Sequence, residues 1–123
     1  MANLLHSETT GKILNAAFEV YNHLGYGFLE KVYQRAMQVE LIQNGCQCEC
    51  EAKISVKYKN AVVGDYFADL FVEQKVIVEL KVAKKYNPED EAQLLNELKA
   101  TGISVGMLIN FGKTTVEYKR MVY

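Results

Sequence analysis

Apolar residues recur at three- and four-residue steps between Thr10 and Leu24. Ile13, Ala16, Ala17, Val20, Tyr21 and Leu24 form one stripe, which predicts an amphipathic helix. Thr9 or Thr10 is suited to cap its start, and Gly25 to end it. The corner Gly25-Tyr26-Gly27 leads into a second helix predicted from about Phe28 to Gln43. Leu29, Val32, Tyr33, Ala36, Met37 and Leu41 face inward, and Gly45 is the stop. Beyond Gly45 the period falls from 3.6 to 2. Cys46, Cys48, Cys50, Ala52, Ile54, Val56 and Tyr58 alternate with polar residues, predicting a long strand, bent or broken near Glu51, with one face on the core and one in water. Lys59-Asn60 suggests a turn, Val62 to Val72 a second strand, and Glu73-Gln74-Lys75 a hairpin tip. Val76 to Val82 is apolar on both sides up to its two charges, as a central strand is. Asn87-Pro88-Glu89-Asp90 opens a third helix, with a cap, a proline at the first helical position and acids in the first turn. It runs to about Ala100 with Leu94, Leu95 and Leu98 inward and ends at Gly102. Ile103 to Phe111 is a buried strand, and Thr115 to Val122, which alternates poorly, is an edge. The order αα-βββ-α-ββ contains a strand-helix-strand crossover, so the expected fold is a mixed α/β arrangement of α+β character: a mixed sheet flanked by helices.

Three charges interrupt this apolar pattern: Asp69 in YFADLFV, and Glu79 and Lys81 in VIVELKV. Glu79 and Lys81 share a strand face, about 6.7 Å apart along the chain, and Asp69 lies across a short hairpin from them. Two neighbouring carboxylates repel unless a proton or cation sits between them. Oxygen ligands of this kind suit Mg²⁺ or Mn²⁺. A lysine beside such a cation is placed to orient or help deprotonate a water and to offset charge on a phosphate. The competing reading is a solvated strand face or a weak ion pair, but strand centres rarely hold charges without a reason. Glu30, in the first turn of the second helix, sits at the edge of its buried stripe, where the helix dipole favours a carboxylate. It reads equally well as a plain N-terminal helix charge. Tyr33 reads as core, and Gln93 as a surface position beside the leucine stripe.

Composition narrows the classes. With 123 residues, 50% of them hydrophobic and 24% charged, residues 1–123 are expected to form one domain around one core. The net charge of −1 argues against a nonspecific nucleic-acid coat, but not against an enzyme that holds nucleic acid through metal ions. No apolar run is long enough to cross a membrane, and the N-terminus lacks the signal-peptide pattern, so a cytoplasmic protein without membrane contact is expected. Cys46, Cys48 and Cys50 are too closely spaced to staple a fold and read as small buried core residues rather than metal ligands. Phe111-Gly112-Lys113-Thr114-Thr115 is not a phosphate loop: the required earlier glycine position holds Met107. His6 and His23 are isolated.

GFLEKVY at residues 27–33, VGDYFADLFVEQKVIVELK and AQLLNELKATGISVGMLINFG together closely resemble the bacterial and archaeal GxxExxY family, placed in the PD-(D/E)XK nuclease superfamily. The resemblance runs from about residue 12 to residue 121. Gly27, Glu30 and Tyr33 match the name-giving motif, Glu30 standing for the helical acid that precedes the core motifs. Asp69 resembles the metal-binding aspartate, Glu79 and Lys81 the (D/E)-x-K pair, and Gln93 a helical glutamine near phosphate or metal. The main-chain carbonyl of Leu80 is a further implied ligand. The family often has histidine where this chain has Asp90 and tyrosine where it has Glu97; both departures add negative charge. The resemblance implies a restriction-endonuclease-like core with catalytic Glu30, Asp69, Glu79, Lys81 and Gln93. A Mg²⁺ or Mn²⁺ ion would be held by Asp69, Glu79 and Leu80, for hydrolysis of DNA, or RNA, leaving a 5′-phosphate. The alternative it leaves open is a non-catalytic nucleic-acid or protein-binding module on the same scaffold. A chain too short to encircle a duplex is also expected to self-associate, as a homodimer.

Overall fold

In a computed structural model, residues 4–123 are described. The elements follow the predicted order: α1 (Ser7–Leu24), α2 (Glu30–Gln43), β1 (Cys48–Tyr58), β2 (Ala61–Val72), β3 (Val76–Lys81), α3 (Glu89–Thr101), β4 (Val105–Phe111) and β5 (Val116–Val122). The five strands form one sheet in sequence order. β3 and β4 are parallel because α3 carries the chain between them, and the other neighbours are antiparallel. β1 and β5 are the two edges.

Helix α1 buries Ile13, Ala16, Ala17 and Val20 of its predicted stripe. It begins earlier than expected, and Thr9 and Thr10 are buried helical residues rather than caps. Thr10 instead donates its hydroxyl to the Ser7 carbonyl at 3.2 Å. Gly25 ends the helix as predicted, at φ 70°, with its N–H on the Tyr21 carbonyl at 2.8 Å. Helix α2 starts at Glu30, and Leu29 and Val32, predicted inward, are exposed. Leu29 precedes the helix with extended backbone, so the 3.6-residue stripe does not extend back to it. Tyr33, Met37 and Leu41 are fully buried, and Gln34 is buried beside them.

Two apolar layers sandwich the sheet. α1 and α2 cover one side, where Ile13, Tyr33, Met37 and Leu41 meet Leu70, Val78, Leu80, Met107, Ile109 and Phe111. α3 covers the other, with Leu94 and Leu98 against Ala52, Ala68, Phe71, Ile77 and Leu108. The approach of α3 is close: a Cβ at Gly106 would lie 3.1 Å from the Leu94 side chain. The predicted bend in β1 occurs at Glu51, at φ 52°. Cys48 and Cys50 pack on the α1/α2 side, whereas Ala52 and Ile54, at the same strand parity, pack on the α3 side. The paired segment of β2 turns with it, since Leu70 and Ala68 also divide between the two layers. The sheet is therefore strongly curled at Asp69. Both hairpin turns appear where the sequence placed them, Lys59-Asn60 and Glu73-Gln74 having positive φ at both central residues. The three cysteines are unbridged, and burial raises their thiol pKa values, that of Cys48 to about 12, as for inert core residues.

Candidate metal and phosphodiester site

The β2–β3 ladder pairs Val72 with Val76, Phe71 with Ile77 and Leu70 with Val78. One step further, where Asp69 and Glu79 come abreast, regular pairing stops. The Asp69 carboxylate takes the place of a main-chain acceptor: its Oδ2 accepts the Leu80 N–H at 2.8 Å. Behind it, buried Gln34 donates Nε2 to the Asp69 carbonyl at 2.8 Å. Asp69 is thus fixed from both ends, while its other carboxylate oxygen makes no hydrogen bond among the described residues.

Glu79 and Lys81 project on the α3 side, where Asp90, Gln93, Leu94, Glu97 and Leu108 complete a narrow cleft. Burial pushes the Glu79 carboxyl up to about 8, with the Asp69 and Glu97 charges adding to the effect. Hydrogen bonds from the Tyr66 hydroxyl and the Asp69 main-chain N–H oppose it. Tyr66 donates to Glu79 Oε1 from the neighbouring strand. Its own pKa is raised by burial and by the two carboxylates facing it, Glu79 and Glu97.

Glu97 is also raised, by burial first, while Tyr66, Lys81 and Gln93 favour its charged form. One of its oxygens, Oε2, is buried without a hydrogen-bond partner among the described residues. Glu30 approaches from α2. Burial raises its pKa most, Asp69 adds to this, and Lys81 counteracts it. Lys81 therefore lies between acids from two helices, and it makes no ion pair with Glu79 among the described residues.

The Gly27-x-x-Glu30-x-x-Tyr33 spacing has a local explanation. Gly27 takes φ 112°, open to glycine and strained for other residues. The Tyr33 ring stacks on Phe111 at 4.3 Å, and its hydroxyl donates to the Gly25 carbonyl at 2.5 Å. The corner is tied to the core, so α2 begins at a defined place and Glu30, its first residue, reaches the site. The core reading of Tyr33 is correct.

All the site residues expected from sequence surround the end of the β2–β3 pairing: Asp69, Glu79 and Leu80 on the strands, Lys81 beside them, Glu30 from α2 and Gln93 from α3. Two contributors escaped sequence reading. Tyr66 looked like one more residue of an extended segment; a half-buried tyrosine's need for a polar partner was the only available signal. Gln34 lies outside the apolar stripe read for the second helix, and nothing local marks it.

Among the described residues, no three His, Cys, Asp or Glu side chains form a closed cation cage. The donor set nevertheless suits a hard divalent cation. It offers two repelling carboxylates, an Asp69 oxygen outside the hydrogen bonds just described, and a buried oxygen on Glu97 nearby that has no partner among the described residues.

The curled mixed sheet with helices on both faces, carrying acids and a lysine where its central pairing ends, defines a restriction-endonuclease-like fold. A family model described as the PD-(D/E)XK nuclease superfamily matches residues 7–121, and the chain belongs to that superfamily. A crystal structure of SSO0001 is similar in fold, with a TM-score of 0.59 at 14% sequence identity over 75% of this chain. The aligned part spans 50% of that longer chain. No curated protein matches the sequence.

Proposed function

We propose that this chain is a Mg²⁺- or Mn²⁺-dependent nuclease of the GxxExxY type, a single domain that hydrolyses phosphodiester bonds in DNA. The reading rests above all on Asp69 and Glu79, two carboxylates brought together at the end of a ladder with Glu79 pushed up to about 8. Asp69, Glu79 and the Leu80 carbonyl would hold the cation, which when bound supplies positive charge to polarise the scissile phosphate and acidify water. Lys81 orients the attacking water and offsets negative charge on the phosphate. Glu30, protonated more readily than an ordinary carboxyl, receives or returns a proton at the edge of the site. Gln93 donates its amide to a phosphate oxygen. Tyr66 and Gln34 hold Glu79 and Asp69 in place. Asp90 and Glu97 in the same cleft favour a second reading, a binding or assembly module, because they add acids where a polyanion must enter. A cytoplasmic setting accords with either reading.

The test is calorimetric titration with Mn²⁺, beside a nuclease assay on single- and double-stranded DNA and RNA in Mg²⁺ or Mn²⁺. Cation uptake that Asp69→Asn abolishes, and cleavage that Lys81→Ala abolishes, are the expected results. Uptake without cleavage of any substrate supports the second reading; no uptake at all overturns the first.

A further inference from the structure

The β1–β2 hairpin runs well past the core. Every residue from Lys57 to Asp65 is exposed, so its outer half is an arm that no other element of the described residues covers. Its register sets three cross-strand pairs on one face: Lys53 opposite Phe67, Ser55 opposite Asp65, and Lys57 opposite Val62 across a bulge. Phe67 is 60% exposed and Tyr58, near the tip, 62%. Lys59 lies over the Tyr58 ring, 5.4 Å from its centre. Residues 53–67 carry three lysines against one aspartate in a chain whose net charge is −1. The arm is therefore a local positive strip on an otherwise acidic protein. Asp65 engages Lys53 at 3.6 Å, but both side chains are well exposed, so the pair is weak and exchangeable.

We infer that this face of the arm is a docking strip for single-stranded nucleic acid, with Phe67 as a base-stacking platform and Lys53 and Lys57 as phosphate contacts. Three observations favour that occupant. A lysine row complements a polyanion, whereas an apolar protein partner gains little from it. An exposed ring with Lys53 opposite it and Lys57 further along the same face has the composition of stacking surfaces for unpaired bases, and a paired base keeps its faces hidden in the stack. The strip is also close to the cleft along the strand: Tyr66, next to Phe67 in β2 and on the opposite strand face, contacts Glu79, and Asp69 follows two residues after Phe67. The inference rests on the nuclease reading only for the use of the bound strand. It deepens that reading by naming the substrate class as unpaired strand, a flap, overhang or loop.

The test is fluorescence anisotropy in EDTA, where no cleavage occurs, with a labelled oligothymidine of about 20 nucleotides and a duplex of the same length. The wild-type chain should bind the single strand more tightly than the duplex. Phe67→Ala should weaken binding to the single strand about 10-fold, the scale of one lost base stack. Lys57→Glu should also weaken it and flatten its dependence on salt. Lys99→Glu, an exposed site on α3 away from the arm, should leave it unchanged, and thermal melts should show all three variants folded. Mn²⁺ titration of the same variants separates this inference from the nuclease reading, since arm substitutions leave Asp69 and Glu79 untouched. If wild type takes up Mn²⁺ yet binds no oligonucleotide, or binds it equally with and without Phe67 and Lys57, the inference fails and the nuclease reading stands. Arm-dependent strand binding without Mn²⁺ uptake does the opposite, upholding the strip and overturning the nuclease reading. Arm substitutions that change self-association but not oligonucleotide binding assign the strip to a protein interface and overturn the inference.

Discussion

Asp69 and Glu79 are held close by opposing demands. Leu80 and Gln34 anchor Asp69 through hydrogen bonds, Tyr66 anchors Glu79, and the charges repel. In metal-free buffer this arrangement is a liability to the folded state. Asp69→Asn or Glu79→Gln is expected to leave the melting temperature unchanged or raise it, while abolishing Mn²⁺ uptake and any cleavage. A structural ion pair predicts the reverse: losing Glu79 would strand Lys81 at a cost of about 3–5 kcal/mol. The pH dependence has a definite sign. Glu79 moves from an ordinary value of 4.5 to about 8 in the folded chain, so between those values the folded state binds more protons than the unfolded. Stability of the metal-free protein is therefore present in full below pH 4.5 as far as Glu79 is concerned, and declines as pH rises through about 8. Glu30 and Glu97 are shifted in the same direction and add to the slope. Thermal melts in chelator across this range should fall with pH for wild type and flatten for Glu79→Gln. Tyr66→Phe is a subtler probe, because it keeps the ring and removes only the donor to Glu79. Mn²⁺ affinity or activity should drop about 10- to 100-fold, as when a group that orients a metal ligand is lost. A tyrosine that merely fills space would leave Mn²⁺ affinity unchanged.

The helices act on the site by where they start. Gly27 at φ 112° and Tyr33, bonded to Gly25 and stacked on Phe111, fix the first turn of α2 and hence Glu30. Gly27→Ala forces an alanine into a sparsely allowed backbone region, with an expected loss of about 1–3 kcal/mol. Chemical denaturation measures that loss, and a parallel drop in cleavage would show that Glu30 has moved with the corner. How much of this was legible in the sequence depended on range. The change of period at Gly45, the turn residues and the Asn87-Pro88 start reveal every element, because those signals lie within a few residues of one another. The expected irregularity near Glu51 is present, as the positive φ of that residue. The boundary of α2 misled the inward assignment of Leu29 and Val32, since an apolar stripe does not say at which residue a helix begins. Tyr66 and Gln34 were missed because their roles arise from the curl that brings β2 over β3 and under α2, and no local pattern encodes that contact. Asp69, Glu79 and Lys81 stood out for the opposite reason: charge in an apolar strand is conspicuous wherever the strand lies.

At the scale of the whole fold, the five strands and three helices of the described residues leave the sheet with two open edges. β1 carries Lys53 and Lys57 into the exposed arm, and charged side chains of this kind discourage further strand pairing. β5 is different. Tyr118 is 48% exposed and packs edge-on against Phe18 of α1, itself 41% exposed, at 6.1 Å, so an apolar patch adjoins the open strand. Val122 adds to the exposed apolar surface at the far end of the strand. Two copies paired antiparallel along β5 would satisfy the free edge, cover the patch and obey two-fold symmetry, in which the same surface serves both subunits. Such pairing would join two sheets into one. It would also leave each arm on β1 unobstructed, since β1 is the opposite edge of the sheet. A homodimer is therefore the expected state, giving a small domain a second set of contacts for a long substrate. Size-exclusion chromatography with light scattering should report twice the 14.0 kDa chain mass at micromolar concentration. Tyr118→Glu should return the protein to a monomer without unfolding it, because the side chain is half exposed. A wild-type monomer throughout the micromolar range rules the dimer out, and a dimer indifferent to Tyr118→Glu places the interface elsewhere than β5.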